Sequence, residues 1–534
     1  MNEENESWVQ GYKTDLISEK VPSFPTATGD ALLSEALAHN ATESYFARLN
    51  YNYKEKYLFE ANVRYDGSYV FRNGKRWGTF PSFSLGWNLY NESFWENIEP
   101  YVNTLKVRAS WGQLGNQNIS PYSDLELIPI SADKLNWIFN YGSTRPVGYT
   151  SGPNLVNRNL TWETATTTNV GMDLSFLNNR LSATVDWFER RTIDMVGPSQ
   201  AMPGVLGTSV PKENNSTLRT RGWEISLNWK HALENGLSYN LGISLYDYKS
   251  VVTKYFNPTG TLSTWYEGAE VGDIWGYTVN DLFRSQEDLD SYLSKVDMTH
   301  IAANWNTGDL KYEDINHDGK VNNGTNTIGN HGDLSVIGND QPHYQYTING
   351  GVSYKGFDFS MLWRGVAKKD MYFYRGSNIY WGFMGGWWES CLTPEHLDYF
   401  RDQPGSKYSG LYEGDANINT DAYWPRPYLN NTEEAKNKNH ANTRYLQNAA
   451  YLRLQNVQLG YSFPRSITSK MHLEKLRIYF SGENLLTFSK LPSGIDPVAP
   501  VGFPTGGEFF GTAGSGRLTY GADRIYSIGL TVTY

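Results

Sequence analysis

The chain has one cysteine, Cys391, among its 534 residues. A single thiol excludes an intramolecular disulfide and any zinc site built on cysteine. Histidine is scarce, nine in all, and scattered. No G-x-S-x-G nucleophile motif occurs, and carboxylate pairs cannot be assembled from sequence without a fold, so nothing motivates an enzyme. No run of about 18 apolar residues is present, which excludes a membrane-spanning helix. No long basic run is present either, and the net charge is −10; nucleic acid is not an expected partner. Met1 to Glu6 are acidic and polar, so no signal peptide is visible there.

What is abundant is aromatic residues and glycine, with 38 Tyr, 18 Trp and 50 Gly. That bias suits strands, turns and membrane-interface side chains. The last strand sets the pattern. Tyr526, Ile528, Leu530, Val532 and Tyr534 alternate with Ser527, Gly529, Thr531 and Thr533. One face is apolar and the other small and polar, as in a strand with lipid on one side and water on the other. The same alternation recurs over 44–54, 57–66, 78–90, 104–113, 164–176, 181–191, 218–230, 237–249, 343–354, 357–365, 449–463 and 476–484. This predicts an all-β protein, a transmembrane antiparallel β-barrel segment of about 13 strands, most near the ~9–11 residues that cross a bilayer.

The connections alternate too. Short ones fall near residues 55, 95, 178, 234, 356 and 469, and longer ones over 67–77, 114–163, 192–216, 250–342, 366–448 and 485–523. Outer-membrane barrels carry short periplasmic turns on one rim and long extracellular loops on the other. An odd count whose first strand runs inward leads to the expectation that this is the C-terminal part of a larger barrel. Residues 1–43 are then an extracellular-loop-like segment and 44–534 the barrel portion.

Several segments carry a resemblance. They are residues 57–83 (YLFEANVRYDGSYVFRNGKRWGTFPSF), 105–117 (LKVRASWGQLGNQ), 160–173 (LTWETATTTNVGMD), 308–319 (GDLKYEDINHDG), 451–463 (YLRLQNVQLGYSF) and 476–484 (LRIYFSGEN). In this order they resemble the SusC/RagA group of TonB-dependent outer-membrane transporters of Bacteroidota. The resemblance implies a 22-stranded, plugged barrel in the cell outer membrane. It also implies import of oligosaccharides or peptides, powered by the TonB complex and aided by a SusD-like surface lipoprotein. The group's signal sequence, TonB box and plug domain have no counterpart here, so contact with TonB is expected through a part outside this sequence.

Two constellations stand out. Asp314, Asn316, Asp318 and Asn322 have the oxygen spacing of a calcium loop, with Gly319 at the bend. The twelfth position is Thr325, not the bidentate acid such loops use, and the other reading is an Asx-rich turn. In the aromatic stretch 372–388, Trp381, Trp387 and Trp388 are candidates for stacking on a substrate, with loop packing as the alternative. Trp265, Tyr266 and Trp275 are weaker candidates of the same kind. Glu60, Asn62, Arg64, Asp173 and Asp186 are expected on the polar, lumen side. Two rival functions remain: a passive porin-like or structural barrel, and a soluble glycan-binding β protein.

Overall fold

Alternation of apolar and polar side chains requires that each strand have two different surroundings, and the computed structural model arranges them so. It describes residues 2–13, 31–117, 119, 123, 125–126, 137–139, 147–149, 155–199, 210–373, 378–382, 392–405, 412–428, 431–498 and 522–534. Fourteen strands form one sheet in strict chain order. They are β1 Asn2–Lys13, β2 Ala31–Tyr53, β3 Tyr57–Ser68, β4 Trp77–Asn88, β5 Val102–Asn116, β6 Glu163–Phe176 and β7 Leu181–Pro198. Then come β8 Lys212–Ala232, β9 Ser238–Lys254, β10 His343–Tyr354, β11 Phe357–Lys368, β12 Tyr451–Ser462, β13 Lys475–Ser489 and β14 Ile525–Thr533. Neighbours are antiparallel, which needs no crossover connection. Between β10 and β11 the turn is Lys355-Gly356, both with positive φ (48° and 88°). That left-handed pair twists with the strands it joins, as two-residue hairpin turns must.

One face of the sheet is apolar and uncovered. Leu49, Leu85, Ile528 and Leu530 are between 60% and 84% exposed. A continuous band of this kind is an aggregation surface in water and the solvated surface in lipid. Aromatic rings close the band at both rims. On the short-turn side Tyr57 stacks on Tyr53 and Trp87 at 6.4 and 6.3 Å. Glu92 anchors this row, accepting from Tyr57 Oη at 2.8 Å and Lys56 Nζ at 2.9 Å. On the long-loop side Trp77 stacks on Tyr65 at 4.7 Å and on Tyr45 at 6.0 Å. Tyr57 and Tyr65 are about 26 Å apart along β3 at roughly 3.3 Å per residue. A strand tilt near 40° brings that to about 20 Å across the membrane, close to the ~25 Å band of such barrels.

The stretch 1–43, expected as loop-like, takes a different form. β1 pairs with the first part of β2, from Asn2↔Thr42 to Lys13↔Ala31. This hairpin ends just before Tyr45, so it stands beyond the aromatic rim on the long-loop side. Beyond the rim no lipid selects for alternation, and the pattern therefore becomes readable only at Ser44. Thirteen strands, β2–β14, cross the band.

The long connections fold into a second layer. Parts of residues 255–342, 369–450 and 490–498 share one apolar core that includes Leu282, Phe283, Leu310, Tyr312, Trp381 and Tyr445, each fully buried. Two short helices, α1 Gln286–Leu293 and α2 Asn431–Lys438, belong to it. Ser285 caps α1, its hydroxyl accepting from the amide of Asp288 at 3.2 Å.

Candidate functional site

The polar face of the sheet is where a solute would meet this chain. Cross-strand pairs there are matched in charge. Arg108 on β5 donates to Asp186 on β7 at 2.6 Å and to Asp173 on β6 at 3.3 Å. Thr184 donates to the second oxygen of Asp173 at 3.1 Å. Gly171 sits beneath this bridge: a Cβ there would lie 2.4 Å from Asp186 Oδ1 and 2.8 Å from Arg108 Cζ, so only glycine leaves room. Further along the sheet Arg477 holds Asp358 and Gln458, and Arg48 holds Glu60 at 2.6 Å. Asn50, Glu60, Ser84, Lys106, Arg108 and Asn169 border a hollow of about 520 Å³. Glu60, Asn62, Arg64, Asp173 and Asp186, read from the sequence as one polar face, all lie on this side.

Above the rim the folded loops present a rigid body, and burial fixes its chemistry. Trp381 is fully buried. Its indole N–H donates to the carbonyl of Phe373 at 2.7 Å, and its ring packs on Tyr380, Trp424 and Tyr445 at 5.1, 5.8 and 5.1 Å. It has no free face for a substrate ring, which corrects its candidacy: the loop core takes it. Trp387 and Trp388 lie outside the described residues. Burial also raises the pKa of the core phenols, Tyr380 and Tyr445 well upward and Tyr277 to about 12. They stay protonated, and Tyr380 and Tyr445 donate their O–H groups to the carbonyls of Tyr445 and Tyr423. Among the weaker candidates, Trp275 donates to Tyr266 Oη at 3.2 Å. Trp265, tilted against Tyr255 at 5.9 Å, remains 40% exposed.

A two-faced sheet with an apolar belt, a charge-matched polar side and a folded loop layer on one rim narrows the family, and sequence comparison settles it. The family model described as "TonB dependent receptor-like, beta-barrel" matches residues 4–485. The chain belongs to this family. TonB-dependent receptors of this type are outer-membrane β-barrel proteins, transporters and receptors rather than enzymes. The chain is 27% identical to the TonB-dependent receptor SusC of Bacteroides thetaiotaomicron, over 90% of this chain and 44% of that protein. It is 25% identical to TonB-dependent receptor P3 of Formosa agariphila, over 93% of this chain and 46% of the relative. It thus spans about half the length of the relatives it matches. Among solved structures, the RagAB peptide transporter superposes with a TM-score of 0.69 at 20% identity, over 97% of this chain and 50% of that one.

In this chain the Asp314 loop is organised by an acid that spacing alone did not assign. Asp314 accepts the amides of Asp318 and Gly319 at 3.2 and 2.8 Å, and Asn316 accepts Asp318 at 2.9 Å. Asn322 accepts the amide of Gly324 at 2.6 Å. Asp333, fully buried, reaches back to accept the amides of Ile315 and Asn322 at 2.9 and 2.8 Å and of Asn316 at 3.3 Å. Residues 323–332 bulge out between, so Asp333 joins the loop although Thr325 holds the twelfth place. The Asp333→Ala variant removes the acceptor of three part-buried amides, at about 0.5–1.5 kcal/mol per hydrogen bond. Faster hydrogen exchange confined to 314–324 is the expected result.

Proposed function

We propose that this chain supplies the barrel wall and outer loops of an importer energised through TonB, taking up oligosaccharides or, like the RagAB transporter, peptides. A SusD-like surface lipoprotein is its partner on the loop side. The observation that carries the reading is the pairing of a charge-matched polar wall, centred on Arg108 and Asp186, with loops that fold into their own core over one rim. Loops of that kind suit capture of a ligand before passage; a passive pore has no use for so large a folded layer. Trp265 is the described loop tryptophan with the most accessible face, and we assign it to ligand contact.

The test is growth and uptake on single glycans and on peptides in cells carrying or lacking the gene. Loss of one substrate class, with uptake abolished when TonB is removed, is the expected result. Uptake that continues without TonB would instead establish the passive pore. The Trp265→Ala change should raise the half-saturating ligand concentration several-fold, since stacking on one ring contributes about 1 kcal/mol, and leave assembly intact. The expectation of calcium at Asp314, Asn316, Asp318 and Asn322 belongs to the same reading, as a weak extracellular site. Calorimetric titration with calcium should show binding in the millimolar range; absence of heat at that concentration removes the assignment.

A further inference from the structure

A basic patch on the outside of the sheet is not explained by transport. On β7, β8 and β9 the outward residues rise through Val185, Ile225 and Leu245 to the directly opposed pair Trp187 and Trp223, whose row ends on β9 at Asp247, itself taken by His343 at 2.8 Å. The next outward row, about 7 Å farther along the strands, is Glu189, Arg221 and Lys249; the row after it is Arg191, Arg219 and Val251. Two pairs of like charge therefore stand directly across from each other, Arg191 against Arg219 and Arg221 against Lys249. Opposed like charges weaken a strand pair. Glu189 bridges Arg191 and Arg221, and Glu270 takes Lys249. Those cations remain 51–60% exposed, so such bridges contribute little. Arg219 has no hydrogen-bonding or ionic partner among the described residues.

The place of the patch identifies its occupant. It continues the lipid-facing band, directly beyond its tryptophans, on the long-loop side where the outer leaflet's headgroups lie. Guanidinium groups match phosphate oxygens in pairs, and a phosphate between Arg191 and Arg219 converts their repulsion into attraction. We infer that Arg191, Arg219, Arg221 and Lys249 form a docking site for the phosphorylated headgroup of an outer-leaflet lipid.

The experiment uses the full chain, in the assembly that completes its sheet, extracted from its own outer membrane. Wild type and the Arg191→Ser/Arg219→Ser/Arg221→Ser variant are placed in phosphatidylcholine nanodiscs with or without bisphosphorylated lipid A. A Lys230→Ser/Lys470→Ser variant, altered at the opposite rim, is the control. Wild type and control should bind lipid A on the order of a hundredfold more tightly than the triple variant, at about fivefold per basic side chain, with the difference shrinking at high salt. Without lipid A the triple variant should melt no lower than wild type, because repulsion has been removed; a merely structural role predicts a lower melting point in both discs. Equal lipid A binding by the triple variant, equal binding of dephosphorylated lipid A, or full competition by inorganic phosphate at its own low concentration would each overturn the assignment.

Discussion

Produced alone and refolded into lipid vesicles, this chain is expected to give no monomer that shifts in gel mobility on heating. The reason lies in its edges. Between the aromatic rims β2 offers residues 45–53 on one side of the sheet, and β14 offers Ile525–Thr533 on the other. Each has a single neighbour there, β3 and β13. About half the backbone groups of an edge strand point away from its partner, so roughly nine N–H and C=O groups per edge face hydrocarbon. At several kcal/mol for each unpaired group the sum reaches tens of kcal/mol, against a net stability of ~5–15 kcal/mol for a typical domain. The edges must be met by other strands. Gel mobility with and without heating, beside protease protection of the vesicle-bound form, decides it. Recovery of a heat-shifting, protected monomer would mean that the thirteen strands close on themselves, β2 against β14.

The strands were legible because lipid imposes a rule on every second residue. Wherever one face meets hydrocarbon, as at Val170, Met172 and Leu174 or at Ile528, Leu530 and Val532, the alternation is plain. Where that condition ends, so does the signal: β1 and the first part of β2 pair through their backbones beyond the rim, where either side of the strand tolerates polar residues. The loop layer was hidden for another reason. A tryptophan in a long loop reads the same whether it stacks on a ligand or fills a core. Trp381 fills a core because Trp424 and Tyr445, distant in sequence, converge on it beside Phe373 and the adjacent Tyr380. By spacing Asp333 does not repair the calcium loop, because ten intervening residues displace it and a spacing rule sees only chain distance. Glu60, Asn62, Arg64, Asp173 and Asp186 were placed correctly as a face, yet the bridge of Arg108 to Asp186 spans strands whose register no sequence reveals.

The Asp309→Ala variant is expected to unfold the loop layer while leaving the sheet intact. Asp309 and Lys436 are fully buried, with Lys436 Nζ 2.8 Å from Asp309 Oδ2. Asp309 also accepts from Tyr428 Oη at 2.8 Å, Asn437 Nδ2 at 2.9 Å and the amide of Asn306 at 2.8 Å. This carboxylate therefore ties α2 to the segment before Leu310. Its removal leaves an ammonium with Glu433 at 3.0 Å and the carbonyl of Asn304 at 2.8 Å, inside a core lined by Trp305 and Tyr428. Breaking one partner of a buried pair costs about 3–5 kcal/mol, a large part of the ~5–15 kcal/mol net stability of a typical domain. The sheet should be unaffected, because the side-chain partners of Asp309 among the described residues all lie in the loop layer. Limited proteolysis should then cut within 255–342 and 369–450 in the variant and not in wild type, at unchanged heat-shifted mobility of the completed barrel. Replacing both partners, Asp309→Leu with Lys436→Met, removes the stranded charge and should restore much of the resistance. If the double variant is cut as fast as the single one, the hydrogen bonds of Asp309 to Tyr428, Asn437 and Asn306, more than its charge, hold the layer together.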